Sequence, residues 1–183
     1  PGLRGDSNTT VKSMSADGFV IVGSSTVAGG SHAIRYVANS NPGVVGITSD
    51  LGTLGGTYSV ANFVSSDGNY IVGTSSDAQG NQHGFRWTEN SGQMLSIEQW
   101  LENAGVKVEY ETANAVSISD DGNIVVGQTK DETTYVARVG GGNSGIIEEA
   151  KFFPTVAAAN SITVQNSVSG ANTIMFGAQG NPM

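Results

Sequence analysis

The chain has 183 residues and a formal net charge of −8, with 26 glycines and no cysteine. The negative charge argues against a nucleic-acid partner and against contact with an anionic membrane surface. The missing cysteines exclude disulfides, thiolate metal ligands and a cysteine nucleophile. Many glycines with only 7% aromatic residues favour short strands and tight turns, so we predict an all-β chain with one main core.

The first feature along the chain is the tripeptide Arg4-Gly5-Asp6, within "LRGDSN". A guanidinium and a carboxylate held apart on a tight turn form the group that integrins recognise, so Arg4, Gly5 and Asp6 are candidate binding residues. A second interpretation stays open. When the repeats described below are aligned, Gly5 falls on Gly55 of "LGTLGG", which makes the tripeptide one copy of a repeated turn.

Nine residues recur three times along the chain, as "SADGFVIVG", "SSDGNYIVG" and "SDDGNIVVG". Their Asp-Gly pairs place Gly18, Gly68 and Gly122 roughly 50 residues apart, a period that is typical of stacked units such as propeller blades. We predict that each Asp-Gly pair makes a tight turn between two strands. The glycine that ends each copy is unusual inside a strand and indicates a close approach of a neighbouring group, such as an aromatic ring.

Each repeat predicts three short antiparallel strands, with a polar tip loop before the third strand. The first two repeats also predict a weak fourth strand, as in "GVVGIT", and four short strands in about 50 residues fit a blade. The tip loops at 26–31, 77–82 and 130–133 differ in sequence, which makes them candidate binding loops. We therefore predict tandem four-stranded antiparallel blade-like repeats that form part of a propeller or a propeller-like stack. The repeats cover about residues 1–50, 51–95 and 106–139 of the region 1–139.

Period-two alternation assigns the faces of the third strand in each repeat. One face carries His32, Ile34 and Tyr36, which we align with His83, Phe85 and Trp87, and with Tyr135, Ala137 and Val139. The opposite face carries one arginine in each repeat, and we expect each to reach a turn aspartate or a backbone carbonyl, since an unpaired buried charge is costly. These arginines are Arg35, Arg86 and Arg138.

Candidate catalytic and metal-binding residues are few. His32 and His83 occupy equivalent repeat positions, which indicates a role in the fold, and we align Tyr135 with them in the third copy. The segment "SDDGN" lacks the spaced oxygen ligands and closing glutamate of the helix–loop–helix calcium site, so we expect a turn there. Neither a nucleophile elbow nor a phosphate-binding loop is present. We predict a non-enzymatic protein without catalytic residues, metal site or cofactor.

The segment "SIEQWLENAG" at 96–105 predicts a short helix between the second and third repeats. Ser96 can cap the helix, Gln99 can complete a capping box, and Gly105 can end it. The apolar side chains at one face of this helix favour packing against the sheets, and a partner-binding face is the alternative. They are Ile97, Trp100, Leu101 and Ala104.

The segment "LGTLGGTYSVANFVSSDGNYIVGTSSDAQGNQHGFRWT", residues 51–88, resembles the HAF-type bacterial extracellular repeat family. The His-Ala-Phe triplet of that family appears as His32-Ala33-Ile34 and His83-Gly84-Phe85, whereas the third copy departs from it with "YVARV". The resemblance covers roughly residues 9–139. It implies a protein exported across the outer membrane, secreted or displayed on the bacterial cell surface, often as the passenger domain of an autotransporter.

The end of the chain loses the repeat pattern. Residues 140–149 are glycine-rich and predict a joint, and residues 150–183 form a C-terminal tail in which Pro154 can open a helix. The tail resembles the segment that links an autotransporter passenger to its barrel. Packing of the tail on the last blade is the alternative, and both can hold.

We expect a non-enzymatic binding or adhesion module directed at a host or matrix protein, with an integrin as the candidate partner of Arg4, Gly5 and Asp6. A structural stalk that spaces another domain is the alternative, and a hydrolytic enzyme is a weaker one. Three repeats fall short of the usual four to eight blades of a closed propeller. We therefore expect a piece of a larger propeller, capping by the tail, or a homo-oligomer formed through open sheet edges.

Overall fold

The computed structural model describes residues 8–41, 43–106, 108 and 110–140, together with the backbone of three short strands in the tail. These residues are mostly β-strand with one short helix, which confirms the predicted all-β class. The elements are β1 Thr9–Met14, β2 Val20–Val27, β3 Gly30–Val37, β4 Ile47–Asp50, β5 Gly55–Val64, β6 Tyr70–Asp77, β7 Gln82–Thr88, β8 Met94–Ser96, α1 Ile97–Asn103, β9 Thr112–Ile118, β10 Ile124–Thr129, β11 Thr134–Arg138, β12 Lys151–Phe153, β13 Ile162–Thr163 and β14 Met175–Phe176.

The first twelve strands form three antiparallel four-stranded units, which we call blade 1 (β1–β4), blade 2 (β5–β8) and blade 3 (β9–β12). Blades 1 and 2 are joined by a single parallel pair, Ser31 with Tyr58. The predicted tandem of four-stranded blade-like repeats is therefore confirmed. No helix in the described ranges combines the length and the hydropathy needed to cross a bilayer.

The repeated Ser-x-Asp-Gly turn is closed by the same hydrogen bonds in every blade. In blade 2 the Ser65 hydroxyl donates to Asp67 Oδ1 at 2.6 Å and accepts from the backbone nitrogen of Tyr70 at 3.0 Å. The glycine of each turn has a positive φ, for example 77° at Gly68, as such a turn requires. The equivalent pairs in blades 1 and 3 are Ser15 with Asp17 and Ser119 with Asp121.

The glycine that ends the repeated motif lies opposite a β-bulge in the first strand of each blade. In blade 2 Asn62 is the bulged residue, and a Cβ at Gly73 would lie 2.0 Å from the carbonyl oxygen of Val60 and 2.8 Å from the Phe85 ring. Gly127 is covered in the same way by the Tyr135 ring, at 2.7 Å. The expected close approach of an aromatic ring is confirmed in blades 2 and 3. In blade 1 the equivalent glycine is closely approached by backbone atoms instead.

The apolar core lies between neighbouring blades rather than within one layer. Blades 1 and 2 bury a cluster that includes Val22, Ile71 and Phe85. Blades 2 and 3 bury a second cluster, to which helix α1 contributes Trp100 and Leu101. The blades therefore stack face to face, and each junction between them is a small hydrophobic core.

The register corrects our alignment of the third repeat. Gly127 pairs with Tyr135, just as Gly73 pairs with Phe85, so Tyr135 replaces Phe85 rather than His83. Val136 then occupies the position of Arg86, and Arg138 lies two residues further along the strand. The tip loop of blade 3 is shorter, which shifts the pattern by two residues while leaving the alternation of faces unchanged.

Helix α1 begins and ends where the sequence predicts. The Ser96 hydroxyl accepts from the backbone nitrogen of Gln99, the Gln99 side chain accepts from the nitrogen of Ser96, and Gly105 follows with a φ of 81°. The apolar face is buried through Ile97, Trp100 and Leu101, so it packs in the core.

The described parts of the C-terminal tail are strands. Lys151–Phe153 pairs with β11 and supplies the fourth strand of blade 3, and Ile162–Thr163 pairs with Met175–Phe176. Lys151–Phe153 fills an open edge of blade 3, which offers backbone hydrogen bonds. Ile162–Thr163 and Met175–Phe176 pair with each other, so strand replaces the helical option at these positions. Pro154 and the glycine-rich joint at 141–149 lie outside the described residues.

Candidate functional site

The candidate binding residues Arg4, Gly5 and Asp6 lie outside the described residues. Their repeat counterpart is visible in blade 2, where Gly55 is the first residue of β5 and has a φ of 110°. Thr53 accepts the backbone nitrogen of Gly55 on its hydroxyl at 3.2 Å, which stabilises a tight turn there. A turn at this repeat position is the conformation in which a guanidinium and a carboxylate could be presented.

Two of the recurring arginines, Arg35 and Arg86, lie at the junctions between blades, whereas Arg138 pairs with Ile124 inside blade 3. Nε of Arg86 donates to the carbonyl oxygen of Gly122 at 3.0 Å, so the expected contact with a backbone carbonyl is confirmed. Arg35 differs, because its guanidinium pairs with Glu89 of blade 2 at 3.1 Å rather than with a turn aspartate. The turn aspartates are already engaged inside their own turns.

Each histidine contacts carboxylates. His32 Nδ1 lies 2.8 Å from Asp50 Oδ2, and His83 lies between Asp77, at 3.3 Å from Nε2, and Glu98, at 3.7 Å from Nδ1. No three His, Asp or Glu side chains of the described ranges are grouped so as to hold a metal ion.

A pocket of about 360 Å³ opens between the tip of blade 2 and helix α1. We call it the acidic pocket, because three carboxylates line it and His83 is the basic group among its lining residues. The acidic residues come from the helix and from the segment that follows it, and Tyr110 forms part of the rim. These carboxylates belong to Glu98, Glu102 and Glu111.

Glu98 is the most firmly positioned side chain of the acidic pocket. Its Oε1 accepts from both the backbone nitrogen of Thr112, at 2.6 Å, and the hydroxyl of Thr112, at 2.7 Å. The same hydroxyl accepts from the backbone nitrogen of Gly84 at 2.9 Å, which ties the helix to blades 2 and 3 together. Oε2 of Glu98 is buried and has no hydrogen-bond partner within the described part of the chain.

Hydrogen bonds favour the charged form of two carboxylates at or beside the acidic pocket, Glu111 in its lining and Asp77 next to His83. Hydrogen bonds from Asn81 and His83 and from the backbone of Gln79 lower the pKa of Asp77, beside His83, to about 2. Lys130 hydrogen-bonds to Glu111 and lowers the pKa of that carboxyl. Burial of a carboxylate without a full set of donors favours a cationic partner, so the pocket suits an ammonium or guanidinium group.

The acidic pocket was not identified from the sequence. His83 comes from the second repeat and Glu111 from the start of the third, whereas Glu98 and Glu102 lie in the segment between them. Glu98 and Glu102 are spaced four apart on α1, which places them on one side of the helix. That spacing was a usable signal. The approach of Glu98 to His83 left no signal in the sequence, because it depends on how α1 packs on blade 2.

No protein-family model matches the chain, and no curated protein matches it. Among solved structures it is similar to TolB from Acinetobacter baumannii, with 18% sequence identity and a TM-score of 0.49. That match covers 75% of this chain and 30% of the TolB chain, so the chain spans less than a third of TolB.

Proposed function

We propose that this chain is a non-enzymatic binding module, secreted or displayed on a bacterial surface, that contacts a host or matrix protein. One observation carries the proposal. Residues that recur in all three blades make turns, bulges and blade-to-blade contacts, whereas the three carboxylates of the acidic pocket come from the part of the chain at 96–111, which lies at a single junction. The exported location rests on the resemblance to extracellular repeats.

The chemistry of the acidic pocket favours a lysine or arginine side chain of the partner protein. Glu98 offers a fixed buried oxygen, Glu102 adds negative charge, and the half-exposed Tyr110 ring offers a surface for a cation. Glu111 also lines the pocket, but it is already paired with Lys130. Each exposed ion pair contributes only about 0.2–1 kcal/mol, so affinity would need several of these groups together. Arg4, Gly5 and Asp6 are the second proposed contact, toward an integrin.

The test is attachment of integrin-bearing cells to surfaces coated with the full chain. Asp6→Glu keeps the charge and moves the carboxylate by one methylene, so it tests the tripeptide. The double variant Glu102→Gln with Glu111→Gln removes pocket charge while leaving the Glu98 hydrogen bonds intact. Its matched control is Asp131→Asn with Glu132→Gln, which removes two charges from the tip loop of blade 3.

The outcomes distinguish the tripeptide from the acidic pocket as the contact with the cell. Loss of attachment in Asp6→Glu assigns the interaction to the tripeptide, and loss in the pocket variant alone assigns it to the acidic pocket. Equal loss in the control variant would indicate a nonspecific charge effect and contradict the pocket. No attachment of the wild-type chain would overturn the binding function.

A structural stalk is the second candidate function, favoured by direct hydrogen bonds between successive turns. The backbone nitrogen of Ala16 donates to Ser66 O, and that of Ser66 donates to Asp120 Oδ1, both at 2.9 Å. Such contacts make neighbouring blades mechanically continuous. Wild-type chain that attaches to no cell while resisting proteolysis across both junctions would favour the stalk.

A further inference from the structure

Blade 1 exposes apolar side chains at positions that are core in the other two blades. Val11 pairs with Gly23 and Met14 pairs with Ile21, and these two side chains are 64% and 65% exposed. The register identifies their counterparts in blades 2 and 3, all of which pack against the preceding blade. Those counterparts are Ala61 (0% exposed), Ala115 (0%), Val64 (2%) and Ile118 (5%).

The turn glycine of blade 1 is also uncovered, unlike the turn glycines of blades 2 and 3. In blade 2 a Cβ at Gly68 would lie 2.6 Å from Val20 of blade 1, and in blade 3 a Cβ at Gly122 would lie 2.5 Å from the Tyr70 ring of blade 2. A Cβ at Gly18, the equivalent glycine of blade 1, would have no described atom within 4 Å. The surface that receives a preceding blade is therefore fully formed on blade 1 and is uncovered by the described residues.

Blade 3 carries the complementary surface. Ile124 occupies the repeat position of Val20 and Tyr70, and Val126 occupies that of Val22 and Val72. Val22 and Val72 are buried against the following blade, whereas Ile124 and Val126 remain only partly buried. Blade 3 thus presents the residues that normally pack on a following blade.

The polar residues of the two surfaces also match. At the junction of blades 1 and 2, Arg35 requires Glu89 as its partner. The register places Val136 of blade 3 at the arginine position. Ala38 of blade 1 occupies the position of Glu89, because the backbone nitrogen of each donates to the residue that precedes the second strand of its blade. An apolar side chain would therefore face an apolar side chain at this position. Arg138, which pairs with Ile124, is a charged residue on the same face of blade 3.

We infer that blade 3 of one copy of this chain packs on blade 1 of a second copy, head to tail, through the same face-to-face contact that joins blades within the chain. Ile124 covers the partner's Gly18, and Val126 packs near the partner's Val11 and Met14. Two copies form two such junctions and supply about six blades, within the range of closed propellers. Closure leaves no blade face open, which is how a head-to-tail contact ends in a ring rather than a filament.

The experiment is sedimentation velocity of the full chain from about 1 to 200 µM. We expect the wild-type chain to sediment as a dimer at the upper end of that range. Met14→Glu alters the receiving surface and Val126→Glu alters the complementary surface, and each variant alone is expected to be monomeric. The matched control, Val45→Glu, changes an equally exposed apolar residue outside the strands and should remain dimeric.

Mixing the two variants gives the sharpest result. Each retains one intact surface, so an equimolar mixture of Met14→Glu and Val126→Glu should regain a dimer through one junction. This recovery also shows that both variants are folded. Wild-type assemblies larger than a dimer, with the same dependence on both surfaces, support the contact as well, because a stack that does not close extends.

Two results would overturn the inference. A wild-type chain that stays monomeric at 200 µM would show that the receiving surface is covered by this chain itself or awaits a different protein. A dimer lost in Met14→Glu and kept in Val126→Glu would show a symmetric contact of blade 1 with blade 1.

Discussion

The two junctions between blades share one plan and differ in what surrounds the arginine. At the first junction Arg35 pairs with the half-exposed Glu89, its guanidinium lies 5.7 Å from the Trp87 ring, and its Nε has no hydrogen-bond partner among the described residues. At the second junction Arg86 lies between two rings, Tyr70 at 5.0 Å and Trp100 at 5.1 Å.

The second ring at the second junction comes from helix α1, which the first junction lacks. The repeat supplies an arginine, and the inserted helix supplies Trp100 as an additional contact for it. The same helix supplies Glu98, which lines the acidic pocket. Repeated residues thus build the contact between blades, and the inserted segment makes one junction different and gives it a cavity.

Substitution of a motif glycine should give the largest effect, because it disturbs the interior of a blade as well as the junctions that the blade forms. Gly73→Ala would place a methyl group 2.0 Å from the Val60 carbonyl oxygen, so the bulged strand must move. We expect a loss of about 3 kcal/mol or more in unfolding free energy, measured by urea denaturation. Gly80→Asn, in the open tip loop with a φ of 87°, is the control. Its Cβ would meet no described atom within 4 Å and asparagine tolerates a left-handed backbone better than most residues, so it should cost less than Gly73→Ala. A Gly73→Ala variant as stable as the control would contradict the close packing.

Removing the arginines compares the junctions directly. Arg86→Ala loses the hydrogen bond to Gly122 and contacts with two rings, so we expect a cost of about 2 kcal/mol. Arg35→Ala loses one distant ring and a half-exposed ion pair, so we expect about 1 kcal/mol or less. Thermal unfolding of both variants beside wild type measures the difference. A larger loss for Arg35→Ala would reverse our ranking of the junctions.

The helix cap affects the second junction alone. Ser96→Ala removes the hydroxyl that accepts the Gln99 backbone nitrogen, which should cost about 1 kcal/mol. Ser96→Thr keeps a capping hydroxyl and is the matched control. Hydrogen exchange should show faster exchange in α1 for the alanine variant, with the strands of blade 1 unchanged. If exchange also became faster in the strands of blade 1, the two junctions would not be independent.

Acidification should lower the stability of the tip of blade 2, because it protonates Asp77. We expect this to be the smallest of the four predicted effects. The pKa of Asp77 is about 2 in the folded chain, below the value of about 3.9 expected when unfolded. Its contribution to stability is therefore present above pH 4 and is lost as the pH falls through 2. We expect Asp77→Asn to reduce the slope of the urea midpoint between pH 4 and 2. A slope equal to that of wild type would exclude this contribution.

Local elements were predictable because their signals are local. The Asp-Gly turns, the first three strands of each repeat and the capping box of α1 each depend on residues within one short segment. The fourth strand of blade 3 was not predictable in this way, because Lys151–Phe153 comes from the tail. The alignment of the third strand in blade 3 was wrong by two residues, because a shorter tip loop shifts the register without changing the alternation of faces. The acidic pocket was missed because Glu98 and His83 meet only when α1 packs on blade 2.

The sequence by itself determined the number of blades, the turns between strands and the helix between blades 2 and 3, since backbone hydrogen bonds and side-chain periodicity act over a few residues. Only the tertiary structure decided which partner each arginine finds, where the carboxylates of the acidic pocket converge and which blade faces remain uncovered. These depend on contacts between residues far apart in the chain, such as Arg86 with Gly122. Such contacts depend on how the blades stack, which local sequence patterns do not specify.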